Sequence, residues 1–369
     1  LLYGATLGAT GIFFAAITTL FAQLSENSRG AMGYGFAFLG LAYIVRAIGD
    51  VSSEALAWFS PLGWILRTQV YVNNYWWPII LTVAASLAIT ILALYLNSIR
   101  DLGAGLIAAK PGRKTASSLL QSTLGLSLRL QRTAIIGWII GMLLLGASYG
   151  SIFGDVETFF ADNELMQQMI PDIPGFSLTE QFLAMLMKVI TMGGTIPALL
   201  MILKLRGEEK NNRTEHLLAR SVSRFRIMGS YLSISLVVGF AGLLFSAIGL
   251  WSAGAAVMDD PIAFSTIFNA IMAYLPATWI MTGVAMLLIG FMPQGVALSW
   301  LYLGYSFIVV YLGGIIQFPE WMAKLTPFGN IPQVPIEPMS LSSFLTLTVI
   351  ALALMVVGFM GYNKRDIQG

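Results

Sequence analysis

The chain has 369 residues, 57% of them hydrophobic and 10% charged, with a mean hydropathy of +0.78. A water-soluble domain carries about 25% charged residues, so this composition belongs to a protein that buries most of its length in lipid. The net charge of +2 carries little information, the absence of cysteine removes disulfides and thiolate metal sites, and the single histidine leaves no basis for a His-built catalytic or zinc centre.

Residues 1–24 are uncharged and long enough to span a bilayer. The chain opens inside this apolar run, at Leu1, and a segment is expected to precede it. A polar turn at 25–30 leads to a second span at 31–49. Residues 50–75 contain Ser60-Pro61-Leu62-Gly63-Trp64 and read as a structured element dipping into the interface. The Trp76-Trp77 pair opens the third span, 76–96. The basic segment 97–133 follows. Within it, 117–132 sets Leu119, Leu120, Leu124, Leu128 and Leu130 among Ser, Gln and Arg, the pattern of an amphipathic helix on a membrane surface or, failing that, of a plain linker. The remaining spans are expected at 134–154, 182–203, 228–251, 264–292, 295–316 and 341–362, with Pro276 as a kink in the seventh. Residues 155–180 and the turn at Asp259-Asp260 are acidic, with a short helix expected at 157–169, and 318–340 is a proline-rich connection.

Between the fifth and sixth spans lies the only long, densely charged segment, 205–226. It holds Glu208, Glu209, Arg213, Glu215, the only histidine, His216, and then Arg220 and Arg224, with Leu217 and Leu218 as an apolar spot. Helical spacing faces Glu209 to Arg213 and Arg220 to Arg224. Charge alone permits two readings: a solvated loop following the positive-inside rule, or a short helix that a partner grips. If this segment is cytoplasmic, sixteen of the twenty Lys and Arg residues fall on the same side, in 97–133, 204–226 and the tail among other places, and twelve of the eighteen acids fall on the other.

The two ends of the chain repeat. Leu39–Val45 matches Leu303–Val309 at an offset of 264, Ser60-Pro61-Leu62-Gly63 matches Thr326-Pro327-Phe328-Gly329 at 266, and Arg100-Asp101 matches Arg365-Asp366 at 265. Both copies run in one direction, which makes a parallel repeat. The chain divides accordingly into 1–103, the last three spans of a first repeat; 104–133, a cytoplasmic linker with a connecting helix; and 134–369, a six-span second repeat. The alignment implies a parent of about 520 residues and twelve spans, with about 150 residues before Leu1.

The pattern Leu205-Arg206-x-Glu208-Glu209-x-x-x-Arg213-x-Glu215-x-Leu217-Leu218-Ala219-x-x-Val222-Ser223-Arg224 resembles the cytoplasmic loop of the ABC-2-type permeases that export polyketide antibiotics, the tetronasin-resistance type. Ser60-Pro61-Leu62-Gly63-Trp64, Arg100-Asp101-Leu102-Gly103-Ala104-Gly105 and Leu124-Gly125-Leu126 with Leu130-Gln131-Arg132 are similar to that family as well. The resemblance implies an all-α polytopic fold with two parallel six-helix repeats, the first truncated here. It implies a multi-pass permease in a bacterial plasma membrane, with the charged loop, 97–133 and the C-terminus cytoplasmic. A separate ATPase subunit, a homodimer, would carry ATP and Mg and dock on a coupling helix at 205–226, through Glu208, Glu209, Arg213, Glu215, His216, Leu217, Leu218, Arg220 and Arg224. Hydrophobic or amphipathic compounds would be the cargo; no nucleic acid is expected.

No G-x-x-x-x-G-K-[ST] segment occurs, so ATP hydrolysis is expected to lie outside the chain. An ion-gradient-driven transporter would need carboxylates within the spans, and none of the inferred spans has one at mid-membrane. A membrane-embedded enzyme would need a His cluster or paired carboxylates on the spans, and a non-transporting membrane subunit is the remaining alternative. Lys188, inside the fifth span, either faces the interior, lining a pathway or pairing with Glu180 or another outer acid, or snorkels to the headgroups. Met185 and Met192 suit an adaptable apolar pocket or, equally, helix packing.

Overall fold

The computed structural model describes residues 1–52, 54–101, 105–107, 114–156, 175–220, 222–316 and 318–366. Among them every regular element is helical. Seven helices are long and apolar enough to cross a membrane, and two shorter apolar ones, Gly30–Arg46 and Leu298–Tyr311, accompany them. The chain forms two compact units, Leu1–Lys114 and Thr115–Gly369.

In the first unit, α1 (Leu2–Leu24) packs along α5 (Trp77–Ile99) and against α2 (Ser28–Ser52). Two short helices, α3 (Glu54–Ala57) and α4 (Pro61–Leu66), fill the connection between α2 and α5. The start of α4 is determined by Ser60, whose hydroxyl accepts from the Leu62 amide and donates to the Ala42 carbonyl at 2.6 Å, with Pro61 at the first helical position where no amide is needed. Arg67 lies over the Trp58 ring at 4.3 Å, and Trp58 stacks on Trp77. At the other end, Arg100 donates to the Ala22 carbonyl at 3.0 Å, joining the end of α5 to the end of α1.

The second unit is built on α6 (Thr123–Gly150), α7 (Leu178–Lys210), α9 (Arg224–Val257), α11 (Leu275–Phe291), α12 (Leu298–Tyr311) and α15 (Leu341–Lys364). Its short elements are α8 (Arg213–Leu218), α10 (Phe264–Met272), α13 (Gly313–Ile316) and α14 (Glu320–Lys324). Two pairs make the most intimate contacts, α6 with α9 and α11 with α15. In the second pair a Cβ on Gly290 would sit 2.5 Å from the Gly358 carbonyl oxygen, so the two backbones touch there. Helix α7 is the buried centre: Leu183, Met187, Ile190, Leu199, Ile202 and Leu205 expose essentially nothing. It begins with a capping box between Ser177 and Glu180. It carries Pro197 in mid-course, which removes one helical hydrogen bond. Buried hydroxyls bond across helices around that level. Ser235 donates to the Ala198 carbonyl at 2.7 Å, and Thr195 and Thr278 share a bond of 3.0 Å.

The two units share an internal order. Helices α3 and α14 stand 266 residues apart at their first residues, and α5 and α15 are related by 264. In each unit the last long helix packs along an earlier one, α5 on α1 and α15 on α11. The close approaches after α3 and α14 match as well. A Cβ on Gly63 would overlap the Ala57 carbonyl oxygen, and one on Gly329 would overlap that of Ala323. A side chain at either position would meet backbone, so glycine is needed there.

Several boundaries differ from the sequence expectation. The amphipathic stretch 117–132 is not a separate surface helix; a single 3-10 turn, Ser118–Gln121, precedes α6, which runs unbroken from Thr123 through the fourth span. No helix breaker separates the two, Ser122 caps the Gly125 amide, and Leu124, Leu128, Ile135 and Ile139 continue one stripe. The irregularity expected from Pro276 in the seventh span is a break rather than a kink: the helix stops at Met272, in the turn before the proline, whose missing amide cannot bond the Met272 carbonyl, and restarts as α11 with Pro276 in its first turn. The eighth ends at Tyr311, followed by the separate turn α13. The expected helix at 157–169 lies outside the described residues.

Candidate functional site

The charged segment is three structures rather than one helix. Its first part extends α7 to Lys210, because Lys204 and Glu208 pair one turn apart at 2.9 Å and nothing breaks the helix before Asn211-Asn212. Asn212 then takes a left-handed conformation, φ 57°, which ends α7 and starts α8. Helix α8 lasts six residues, and α9 begins at Arg224 with the Ser223 hydroxyl accepting from the Arg226 amide. Arg220 and Arg224 therefore do not share a helix, correcting the expected pairing.

The glutamates also pair differently from expectation. Glu209 does not meet Arg213. Arg213 reaches Glu208 at 3.2 Å, so Glu208, buried itself, holds the end of α7 and the start of α8 together through Lys204 and Arg213. Glu209 turns into the protein: its side chain is 0% exposed, and Arg365 Nη2 donates to both of its oxygens, at 2.7 and 2.6 Å. Arg206 approaches the same carboxylate at 3.5 Å. Arg224 donates to the carbonyls of Asn363 and Arg365, tying the start of α9 to the end of α15. The Arg365 guanidinium lies 5.1 Å from the ring centre of the fully buried Tyr362, and Phe225 stacks on Phe359 at 4.7 Å.

What remains outward is narrow. Leu217 and Leu218 pack on the core of the unit, as does Val222. Arg213, Glu215, His216, Ala219 and Arg220 lie toward the outside of the segment. The segment thus offers one polar face of mixed charge, while its apolar side, Glu208 and Glu209 anchor it. Arg365 and Lys204 are parts of this site that the local sequence pattern did not single out, whereas Arg206 stands in it. Arg365 stands in the repeated Arg-Asp motif, the one signal that pointed to it.

The fifth-span residues have distinct surroundings. Met192 is 3% exposed and Met185 packs against the same core, so both serve helix packing in this conformation. Lys188 is half-buried, and among the described residues the carboxylate whose field reaches it is that of Glu337, in the connection between α14 and α15. Glu180, the partner named from sequence, instead accepts from the Ser177 amide at 2.9 Å and from its hydroxyl at 3.0 Å. Between α6 and α9 lies an apolar cavity of about 240 Å³, lined by Leu124, Leu128, Ile135, Ile139, Ile234, Val237 and Val238. Among the described residues no group of three His, Asp or Glu side chains could hold a metal ion.

Comparison with known proteins adds the family. Residues 120–363 match the family model described as "Multidrug efflux system permease Rv1217c, C-terminal domain". The multidrug efflux system permease protein Rv1217c of Mycobacterium tuberculosis (strain ATCC 25618 / H37Rv) is 35% identical over 369 residues, which is 99% of this chain and 67% of that protein.

Proposed function

Since the chain belongs to the family of multidrug efflux system permeases, we propose that it is driven by a separate ATP-hydrolysing subunit that docks on the exposed face of α8. The observation that carries this reading is the way the face is held. Helix α8 sits between the two longest helices, α7 with 33 residues and α9 with 34, and ion pairs of Glu208 and Glu209 fasten its surroundings. Six residues have no stability as an isolated helix. Held this way, they and the turn after them present Glu215, His216 and Arg220 in a defined arrangement, and a push on them moves long helices as bodies. Mixed charge on a small polar face suits recognition and register more than raw affinity.

In this reading α8 and the C-terminus face the cytoplasm, and the ATPase is a dimer that binds ATP with Mg. The cargo is hydrophobic or amphipathic, of the polyketide-antibiotic kind, and the cavity between α6 and α9 is wide enough to admit part of such a molecule from the bilayer. The test is co-purification. A tagged chain isolated from its native membrane should bring down an ATP-hydrolysing subunit, and Arg220→Glu combined with His216→Glu should release it while insertion is unchanged. Full retention by that double variant would overturn the docking assignment.

A further inference from the structure

We infer that the Glu209–Arg365 pair carries motion from the coupling segment into the last helix, which makes Arg365 a positioning residue for export. This rests on the docking of an ATPase at α8 proposed above. The pair joins residues 156 apart in the chain, at the ends of α7 and α15. A second set of bonds reaches the same turn of α15 from the other flank of α8, where Arg224 at the start of α9 donates to the carbonyls of Asn363 and Arg365. Phe225 on Phe359 adds an apolar contact one turn back. Both helices that flank α8 therefore grip one end of α15.

Helix α15 cannot slide freely in response, because its backbone touches that of α11 at Gly358 and Gly290. A displacement of α8 would pass through the α7 and α9 ends to α15 and on to α11 as a rigid pair. A buried ion pair is a poor choice for stability alone. Apolar side chains of similar size serve as well or better in many proteins, while a charged pair fixes one register. Here the pair is nearly enclosed, at 0% and 13% exposure, and connects the elements whose register transmission requires.

The experiment separates transmission from mere support. Arg365→Met, Glu209→Met with Arg365→Met, and Arg365→Lys are compared for thermal stability in detergent, for the ATPase that co-purifies, and for ethidium accumulation in cells where the wild-type chain lowers it. The single Met variant should lose both stability and export. The double variant, which leaves only the partly exposed Arg206 without its carboxylate, should regain most of the stability and keep its ATPase, yet export at about one-tenth of the wild-type rate. Arg365→Lys should recover part of the export. Wild-type export by the double variant would overturn the inference, because support alone would then explain the pair. Loss of the ATPase from the double variant would overturn it as well, since the pair would then shape the docking face. An ATPase missing from the wild-type chain would instead refute the docking proposal.

Discussion

Glu209→Gln should destabilise the protein more than Glu208→Gln, although the two residues are adjacent and both side chains are buried. The change at position 208 leaves Lys204 and Arg213 without their carboxylate, but these are 37% and 57% exposed and can turn to water. Screening and solvation reduce that loss to about 1–2 kcal/mol. The change at position 209 leaves Arg365 with a side chain only 13% exposed, whose Nε finds no partner among the described residues. Removing one member of a buried pair costs about 3–5 kcal/mol, because the other charge stays uncompensated. A unit of this size loses about 2–4 °C of midpoint per kcal/mol, so the expected shifts are about 4 °C for Glu208→Gln and about 10 °C for Glu209→Gln. Thermal unfolding in one detergent, followed by tryptophan fluorescence, measures both. Equal shifts, or a larger one at Glu208, would mean that Arg365 escapes to water and that the enclosure of Glu209 does not hold the segment.

Gly290→Val should lower the midpoint or the folded yield, because the α11 and α15 backbones must part at Gly358 to admit the side chain, at a cost of about 1–3 kcal/mol; an unchanged midpoint would contradict the close approach. In the cysteine-free chain, a cysteine at Ala219 should be labelled by an impermeant thiol reagent only from the cytoplasm and one at Asp259 only from outside; labelling of both from one side would refute the orientation. Lys188→Met keeps the length and removes the charge near Glu337. If Lys188 lines the pathway, it should change the range of exported compounds at normal expression, and identical export of a whole panel would assign the lysine to the headgroup region.

The long helices were legible because an apolar run of about 20 residues has few other uses. Breaks within them were less so. Pro276 marked the irregularity in the seventh span, but not that the helix would stop at Met272 and restart at Leu275 instead of bending. The extension of α7 through Lys210 was written in the Lys204–Glu208 spacing, yet the density of charge made the segment look detached. Three short matches pointed to a repeat, and one of them ends in a glycine, at 63 and at 329, that in both copies lies against the carbonyl six residues before it. The partner of Glu209 was not legible, since it finds Arg365 across 156 residues; for Lys188 the sequence leaves open an acid other than Glu180, and among the described residues it is Glu337, in the connection that leads into α15, whose field reaches it. Periodicity reports which face a residue occupies, and it says nothing about which distant element closes over that face.

The docking of a separate ATPase on α8 is tested most directly by photo-crosslinking in intact cells, with a photoactivatable residue in place of His216, of Arg220 or of Asp259. Docking on α8 should give an adduct with an ATP-binding subunit from positions 216 and 220 and none from 259. Adducts absent at both α8 positions, while the chain remains inserted and active in export, would contradict it.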